Sequence, residues 1–403
     1  MVANLTDAIR ERAKQYERDM VNFLRDLIAI PSESCQEKEV VLRIKEEMEK
    51  TGFDEITIDG MGNILGRVGD GPRILAFDAH IDTVGVGSLE EWEHDPFKGK
   101  LEDGIIYGRG AVDQTGAMAS MVYAAKIIKE LELDKEFTVY MVGSVNEEDC
   151  DGQCWQYIIN EVGLKPELVV ITEPTNLNIY RGHRGRMEIR VTTRGVSCHG
   201  SAPERGDNAV TKMAPVILGV DKLNHRLKDD PFLGKGTICV SYIECETPSL
   251  CAVPDKCEIH LDRRLTDGED KELAISQIKE ICAEAGIDAE VWMLTYDRPS
   301  YTGLVYPVEK YFPTWVLPED HPGVTSAVET FTQLFAKPPK VDKWTFSTNG
   351  VSIMGLHGIP CVGFGPGNEV YAHSVQDQVP VEHLVKACEF YSLFPMVYCR
   401  QTK

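Results

Sequence analysis

Compact apolar runs that alternate with helical segments constrain the fold of this 403-residue chain most strongly. Residues 73–78 include ILAF, residues 137–144 read FTVYMVGS, and residues 168–172 read LVVIT. Runs of this kind are typical of strands that are buried on both faces of a sheet. Residues 116–131, rich in Ala, Met and Ile, predict a helix between two of these strands. The alternation predicts an α/β fold in which helices cover a central sheet.

A different pattern begins near residue 183. Alternating strands are predicted over 187–193, 237–244, 257–265 and 288–296, with helices over 208–227 and 270–285. The order β-α-β-β-α-β is that of the split βαβ sandwich. We therefore predict a first domain formed by residues 1–182 and 298–403, with residues 183–297 inserted into it as a second domain.

Charge and cysteine content restrict the partners and the compartment. Lys and Arg number 42 against 64 Asp and Glu, so the net charge is −22. Such a surface repels phosphates, which argues against nucleic acids and anionic membranes as partners. The N-terminus lacks the apolar core of a signal peptide, and no apolar run is long enough to span a membrane. We expect a cytoplasmic protein whose 12 cysteines are reduced thiols.

Acidic and imidazole side chains follow the carboxyl ends of the predicted strands, where open α/β sheets bind ligands. The candidates are His80, Asp82, Asp113, Glu147, Glu148, Glu173 and His373. Each alone has an ordinary explanation, such as a solvated carboxylate or, for Asp113, a helix N-cap. Carboxylates crowded in one crevice repel one another and need a cation or protons. Imidazole with carboxylate ligands suits zinc, with cobalt or manganese as substitutes.

Six segments carry a family resemblance. In chain order they are AHIDTV, GRGAVDQTGAMA, SVNEED, ITEPT, SCHGSAPERGDNAV and GPGNEVYAHS. In these the chain resembles the metal-dependent amidohydrolases and exopeptidases that include acetylornithine deacetylase, succinyl-diaminopimelate desuccinylase, aminoacylase and glutamate carboxypeptidase. It is most similar to the branch labelled as selenium-metabolism hydrolases. The resemblance implies a zinc-exopeptidase-like three-layer catalytic domain with an inserted ferredoxin-like domain that serves as lid and dimerisation unit.

The resemblance also implies a ligand set for two zinc ions per chain, with cobalt or manganese possible. Asp113 would bridge the two ions. His80 and Glu173 would complete one site, and Glu148 and His373 the other.

Three further roles follow from the resemblance. Asp82 would orient His80, as a carboxylate behind a ligating histidine usually does. Glu147 would be the general base. His199 would reach into the site of a partner subunit and stabilise the oxyanion, which implies a homodimer.

The resemblance also implies contacts to the substrate. Arg264 would hold a substrate carboxylate, with Arg263 as the alternative, since adjacent strand residues face opposite ways and one of them should be solvated. The loop that contains Gly367 would line the substrate pocket. Three residues depart from those common in the family where specificity is set: Gln114, Cys251 and Asn349. Asn349 is expected, with Arg264 and Gly367, to contact the substrate.

The implied activity is hydrolysis of an amide bond in a small N-acyl or N-carbamoyl amino acid or a dipeptide by a metal-activated water. The sequence does not separate a deacylase from a dipeptidase. One alternative is a thiol hydrolase that uses Cys198 and His199, although no acid is placed to orient the histidine. The other is an inactive small-acid binding protein that retains the fold; the presence of Glu147 argues against it, since a binding protein needs no general base.

Overall fold

The computed structural model describes residues 2–402 and the side chains of residues 5–402. Its main feature is a sheet of eight strands within the described residues. In order across the sheet these are Glu55–Ile58, Ile64–Val68, Phe137–Ser144, Arg73–His80, Leu168–Ile171, Cys361–Gly363, Ile179–Tyr180 and Val341–Asp342. The four central strands run parallel. The predicted α/β fold is therefore confirmed.

Helices cover this sheet and bury its apolar residues. The longer ones are Val2–Gln15, Glu17–Ile28, Lys38–Thr51, Gly116–Glu130, Pro322–Phe335 and Val381–Gln401, with the short helix Gln153–Tyr157 and the turns Ala111–Thr115, Ile158–Val162 and Val351–Leu356. Gly116–Glu130 packs against Val381–Gln401 and against the two longest strands of the sheet. Its side chains are buried almost all round, because it lies between the sheet and other helices.

A second, antiparallel sheet lies between the first and last parts of the chain. Its strand order is Thr237–Glu246, Lys256–Leu265, Gly185–Arg194 and Ala289–Met293. Helices Ala209–Arg226 and Lys271–Glu284 pack on one face, against residues such as Met187, Ile189 and Leu261. The other face carries charged side chains, in keeping with the alternation of buried and partly exposed residues along Lys256–Leu265.

Beyond residue 297 the chain pairs with the second sheet once more. Tyr311–Phe312 still pairs with Gly185–Arg194, although it lies beyond residue 297. Trp315–Val316 then pairs with Gly182–His183, so the two crossings between the sheets lie side by side. The domain boundaries at residues 183 and 297 stay a prediction.

Short strands complete the fold. Lys100–Glu102, Ile105–Tyr107 and Gln378–Pro380 form one small sheet, and Asp229–Asp230 with Gly234–Lys235 and Thr295–Tyr296 with Val308–Glu309 form two hairpin-like pairs. All 12 cysteines are free thiols. Among residues 2–402, no helix combines the length and the apolar character that a membrane span requires.

Candidate metal centre

The carboxyl ends of the parallel strands meet at one edge of the large sheet, and the candidate ligands meet there too. His80 ends a strand, Glu147 and Glu148 follow the next one, and Glu173 follows a third. Asp113 lies in the turn before helix Gly116–Glu130. Together with His373, from the loop after Cys361–Gly363, these residues border a cavity of about 410 Å³.

Asp113 lies between two sets of candidate ligands. Its Oδ1 is 2.7 Å from His80 Nε2, and its Oδ2 is 3.2 Å from His373 Nε2. Glu173 Oε1 lies 3.5 Å from His80 Nε2, whereas Glu148 Oε2 lies 2.9 Å from His373 Nε2. One carboxylate therefore presents an oxygen to each side, which is the arrangement that a bridging ligand needs.

The side-chain chemistry fits divalent cations. The ligand atoms of His80, Glu147 and Glu173 lie within 4.8 Å of one another, as do those of His80, Asp113 and Glu148. Glu147 Oε1 and Glu173 Oε2 are buried and have no hydrogen-bonding partner among the described residues. A buried polar atom needs a partner, and a metal ion would provide one. Imidazole and carboxylate groups are the ligands that zinc accepts.

The acid–base properties of the cluster reflect crowding of charge. Burial raises the pKa of Glu147 and Glu173 well above the ordinary glutamate value. Burial and the charge of Asp113 raise the pKa of Glu148 to about 7. Hydrogen bonds to Asp113 and Glu148 raise the pKa of His373 to about 10. Four carboxylates share a dehydrated space, and a cation between them would relieve both the repulsion and the burial penalty.

Asp82 fixes the segment that carries the two glutamates. Its Oδ1 accepts a hydrogen bond from the Glu147 amide at 3.1 Å, and its Oδ2 accepts one from the Glu148 amide at 3.0 Å and one from the Ser34 hydroxyl at 2.7 Å. Its main-chain oxygen accepts from His80 Nδ1 at 2.9 Å, which leaves Nε2 as the ring nitrogen that faces Asp113. The Asp82 carboxylate also approaches this nitrogen, with Oδ1 at 3.6 Å from His80 Nδ1.

Asp377 is a residue that sequence reasoning missed. It is buried, and its carboxylate accepts hydrogen bonds from the amides of Gly110 at 2.8 Å and Val112 at 2.9 Å and from Arg109 Nη1 at 3.1 Å. It therefore holds the turn that presents Asp113. In the sequence, only its position four residues after His373 connects it with the candidate ligands. That spacing does not by itself indicate a role for Asp377.

Two arginines of the second sheet form the far wall of the cavity. Arg264 borders it, as expected, and so does Arg186. Arg263 points the other way, where its guanidinium pairs with Glu269 at 2.7 Å inside the second core. The expectation that one of the adjacent arginines would be solvated was wrong, because a buried carboxylate compensates the charge of Arg263.

Two predicted substrate contacts do not border the cavity. Asn349 is buried, donates to Asp78 at 2.9 Å and Ser144 at 3.0 Å, and accepts from the Gly152 amide at 2.8 Å. All its hydrogen-bonding groups are used beneath the sheet edge. Gly367 has φ of 78°, and a Cβ there would meet Val112 at 2.4 Å. The loop lies close to Val112 at that point, so the glycine allows the close packing of the two segments.

His199 lies apart from the cavity within one chain. Its ring Nδ1 accepts from the Ser201 amide at 3.1 Å and lies 2.7 Å from the Ser201 hydroxyl, on an exposed loop of the second sheet. The neighbouring Cys198 Sγ lies 3.3 Å from the Ala202 carbonyl. Neither side chain borders the cavity that the candidate metal ligands line.

Comparison with known proteins agrees with this geometry. The model of peptidase family M20/M25/M40 matches residues 76–396. The chain is 58% identical over 388 residues to the uncharacterized protein YgeY of Escherichia coli strain K12, covering 96% of each chain. It is 23% identical over 424 residues to the N-formyl-4-amino-5-aminomethyl-2-methylpyrimidine deformylase of Bacillus subtilis strain 168, covering 98% of each chain.

The fold is also found among solved structures. A Bacillus subtilis protein, described as a dinuclear metal binding peptidase from the M20 family, superimposes with a TM-score of 0.71 at 15% identity. The match covers 96% of this chain and 99% of the other. At that identity the likeness concerns the fold alone. The family model, in contrast, spans every candidate ligand from His80 to His373, and the chain belongs to the peptidase M20/M25/M40 family of hydrolytic enzymes.

Proposed function

We propose that this enzyme hydrolyses the amide bond of a small N-acyl or N-carbamoyl amino acid or of a dipeptide, with two divalent cations in each chain. The observation that carries the proposal is the position of Asp113, whose two oxygens face His80 and His373 on either side. The deformylase relative and the dinuclear peptidase neighbour support it, since one removes an acyl group and the other is a peptidase. Zinc is the expected metal, with cobalt or manganese as substitutes.

The ligands divide between the two ions as the distances suggest. Asp113 is shared; His80 and Glu173 complete one set, and Glu148 and His373 the other. Two cations at such a site would supply an acidified water and a polarised scissile carbonyl.

Glu147 is the group that moves the proton. Its Oε1 is buried without a hydrogen-bonding partner among the described residues and borders the cavity. The hydrogen bond from its amide to Asp82 fixes its backbone. Glu147 takes the proton of the attacking water and returns it to the leaving nitrogen, which is the two-step role of a general base.

His199 completes the site from a second copy of the chain. It is held by Ser201 on an exposed loop and does not border the cavity that the candidate ligands of its own chain line. In a homodimer, His199 of the partner subunit stabilises the oxyanion of the tetrahedral intermediate.

The free cysteines support the cytoplasmic location expected from the sequence.

Metal content tests the proposal first. Protein purified without chelator and reloaded with zinc is expected to hold about two ions per chain by elemental mass spectrometry. Asp113→Ala is expected to lose metal, whereas Asp149→Asn, a neighbouring acid that pairs with Arg298 outside the cavity, keeps it.

A panel of N-acetyl and N-carbamoyl amino acids and dipeptides then separates deacylase from dipeptidase. Wild-type chain that binds no metal after reloading contradicts the proposal. Metal-loaded chain that binds a small acid without hydrolysing any member of the panel favours the inactive binding protein instead.

A further inference from the structure

A second cavity, of about 700 Å³, lies away from the metal centre and is called the helical cavity. It is enclosed by residues of helices Val2–Gln15, Pro322–Phe335 and Val381–Gln401 and by the turn at residues 103–105. None of its lining residues borders the cavity of the candidate metal ligands. Its volume is within the range of sites that bind small molecules.

Apolar side chains form one wall of the helical cavity. Leu334 and Val385 are buried in the core of the large domain and border the cavity, together with Phe335 and Ile105. A wall of this kind provides contact for the aliphatic or aromatic part of a ligand.

The cations around the helical cavity already have partners. Each of the three basic side chains that border it forms an ion pair with a nearby carboxylate. The pairs are Arg10 with Asp7 at 2.9 Å, Lys14 with Glu17 at 2.6 Å and Lys386 with Glu382 at 2.5 Å.

Glu389 differs from these groups because its carboxylate has no partner. The residue is 8% exposed and borders the helical cavity, so the small part of its surface that is not buried faces that space. It forms neither a hydrogen bond nor an ion pair with any residue among those described, and Arg10 and Lys386 act on it only through space. A buried charge is costly unless a partner compensates it.

The total charge around the helical cavity points to the same missing partner. Four carboxylates border it, against three basic side chains. Besides Glu389, the exposed Asp103 has no ion-pair partner among the described residues. A cation is therefore the ligand that the cavity lacks.

We propose that the helical cavity binds an organic ammonium ion, whose charge lies against Glu389 and whose apolar part packs on Leu334, Phe335 and Val385. The aromatic ring of Phe335 already attracts a cation, since Lys386 Nζ lies 6.0 Å from its centroid. The proposal goes beyond the proposed function and does not depend on it, because the two cavities share no residue.

The binding should depend on pH through Glu389. Burial raises the pKa of Glu389 to about 7, against the opposing effect of the two nearby cations. The carboxyl group is therefore mostly neutral at pH 6 and mostly charged at pH 8, and a permanent cation should bind about 10-fold more tightly at pH 8. The charged groups that face Glu389 from the surrounding elements are Glu382 and Lys386 on its own helix, Arg10, Lys14 and Glu17 on the first two helices, and Asp103 in the turn.

The binding test uses zinc-loaded wild-type protein with two probes of the same shape, choline and 3,3-dimethyl-1-butanol. They differ in charge alone, and the quaternary nitrogen of choline has no lone pair with which to bind a metal ion. Ligand-detected NMR titration gives the dissociation constants. At pH 8 we expect choline to bind about 10-fold more tightly than the alcohol, because a single carboxylate attracts it in a partly dehydrated space.

Glu389→Gln is expected to reduce the preference for choline to less than about threefold and to remove its pH dependence. Glu389→Asp keeps the charge and retains part of the preference. Glu329→Gln is the matched control, because Glu329 is an exposed glutamate of helix Pro322–Phe335 that does not border the helical cavity. It should bind both probes as the wild type does.

Urea unfolding shows whether the Glu389→Gln protein is folded. We expect it to be at least as stable as the wild type, because the substitution removes a buried carboxylate that has no partner. The pH dependence of choline binding is measured on the wild type and needs no variant.

Equal affinity of the wild type for the two probes overturns the proposal, as does full retention of the choline preference in Glu389→Gln. Choline binding that does not change between pH 6 and 8 also overturns it. Its failure differs from that of the proposed function. A chain that holds metal and hydrolyses the amide panel but does not distinguish the two probes rejects the ammonium site alone, whereas a chain that holds no metal rejects the proposed function.

Discussion

Single side chains in this site do more than one task. Asp82 accepts hydrogen bonds from the amides of Glu147 and Glu148 and, through its main chain, from His80. It therefore sets the position of three cavity residues without bordering the cavity itself. Residues of this kind tune a metal site through the ligands that they orient.

Replacing the Glu147 carboxylate by an amide tests whether Glu147 is the general base. Glu147→Gln is expected to keep the metal content of the wild type and to lower kcat by about 10²- to 10⁴-fold, because the amide cannot accept the proton of water. Elemental analysis and initial rates on the same sample measure both. A variant with near wild-type kcat removes Glu147 from the role of base.

A buried histidine at the crossing between the two sheets gives a pH-dependent stability. His183 Nε2 accepts from Trp315 Nε1 at 2.7 Å and from the Thr348 amide at 3.1 Å, and burial lowers its pKa to about 4. In the unfolded chain its pKa is about 6.5. As the pH falls below about 6.5, this histidine becomes protonated in the unfolded state. In the folded state it stays neutral until about pH 4.

This histidine should therefore stabilise the fold above pH 6.5 and lose about 3 kcal/mol of that contribution by pH 4. The measurement is urea unfolding of wild type and His183→Gln across pH 7 to 4. The wild type is expected to lose more unfolding free energy than the variant, whose glutamine does not titrate. Parallel pH curves for the two proteins would falsify the assignment.

At the scale of elements, the site depends on turns that hold ligands between strands and helices. The turn before helix Gly116–Glu130 is fixed by the Asp377 carboxylate, which also lies close in sequence to His373. One residue thereby connects the elements that carry the candidate ligands Asp113 and His373. The remaining candidate ligands need no such support, because they follow parallel strands whose carboxyl ends already lie at one edge of the sheet.

Asp377→Asn should weaken metal binding about 10- to 100-fold, as loss of a supporting hydrogen bond typically does. The amides of Gly110 and Val112 each donate to a different carboxylate oxygen of Asp377, whereas the asparagine side chain has only one oxygen. The neutral side chain also leaves Arg109 without its ion-pair partner. Competition with a chelator gives the affinity. Gln376→Ala, the exposed neighbour, is the control and should bind metal as the wild type does; equal affinities in both variants reject the supporting role.

At the scale of the whole molecule, the proposed site needs a second copy of the chain. His199→Ala and Glu147→Ala homodimers should each be inactive. After subunit exchange, each heterodimer has one complete site, with Glu147 from one protomer and His199 of the partner subunit. Activity should then recover to about half that of a wild-type dimer per heterodimer, with exchange followed by native mass spectrometry. Exchanged dimers without activity contradict the arrangement.

The sequence by itself determined the large sheet and the meeting of the candidate ligands at its edge. Buried strands have an unmistakable apolar pattern, and parallel strands bring whatever follows their carboxyl ends to one edge. That His80, Glu147 and Glu173 border one cavity could therefore be predicted from their positions after the strands alone.

Only the tertiary structure decided which other side chains reach the cavity. Arg186 borders it because cross-strand register opposes it to Arg264, and Arg263 turns away to Glu269. Asn349 is drawn beneath the sheet edge by Asp78, and Asp377 closes on a turn more than 260 residues earlier in the chain. A local sequence pattern shows which residues of a strand share a face. The hydrogen-bonding partner of a polar side chain comes from segments distant in sequence, so only the packed structure identifies it.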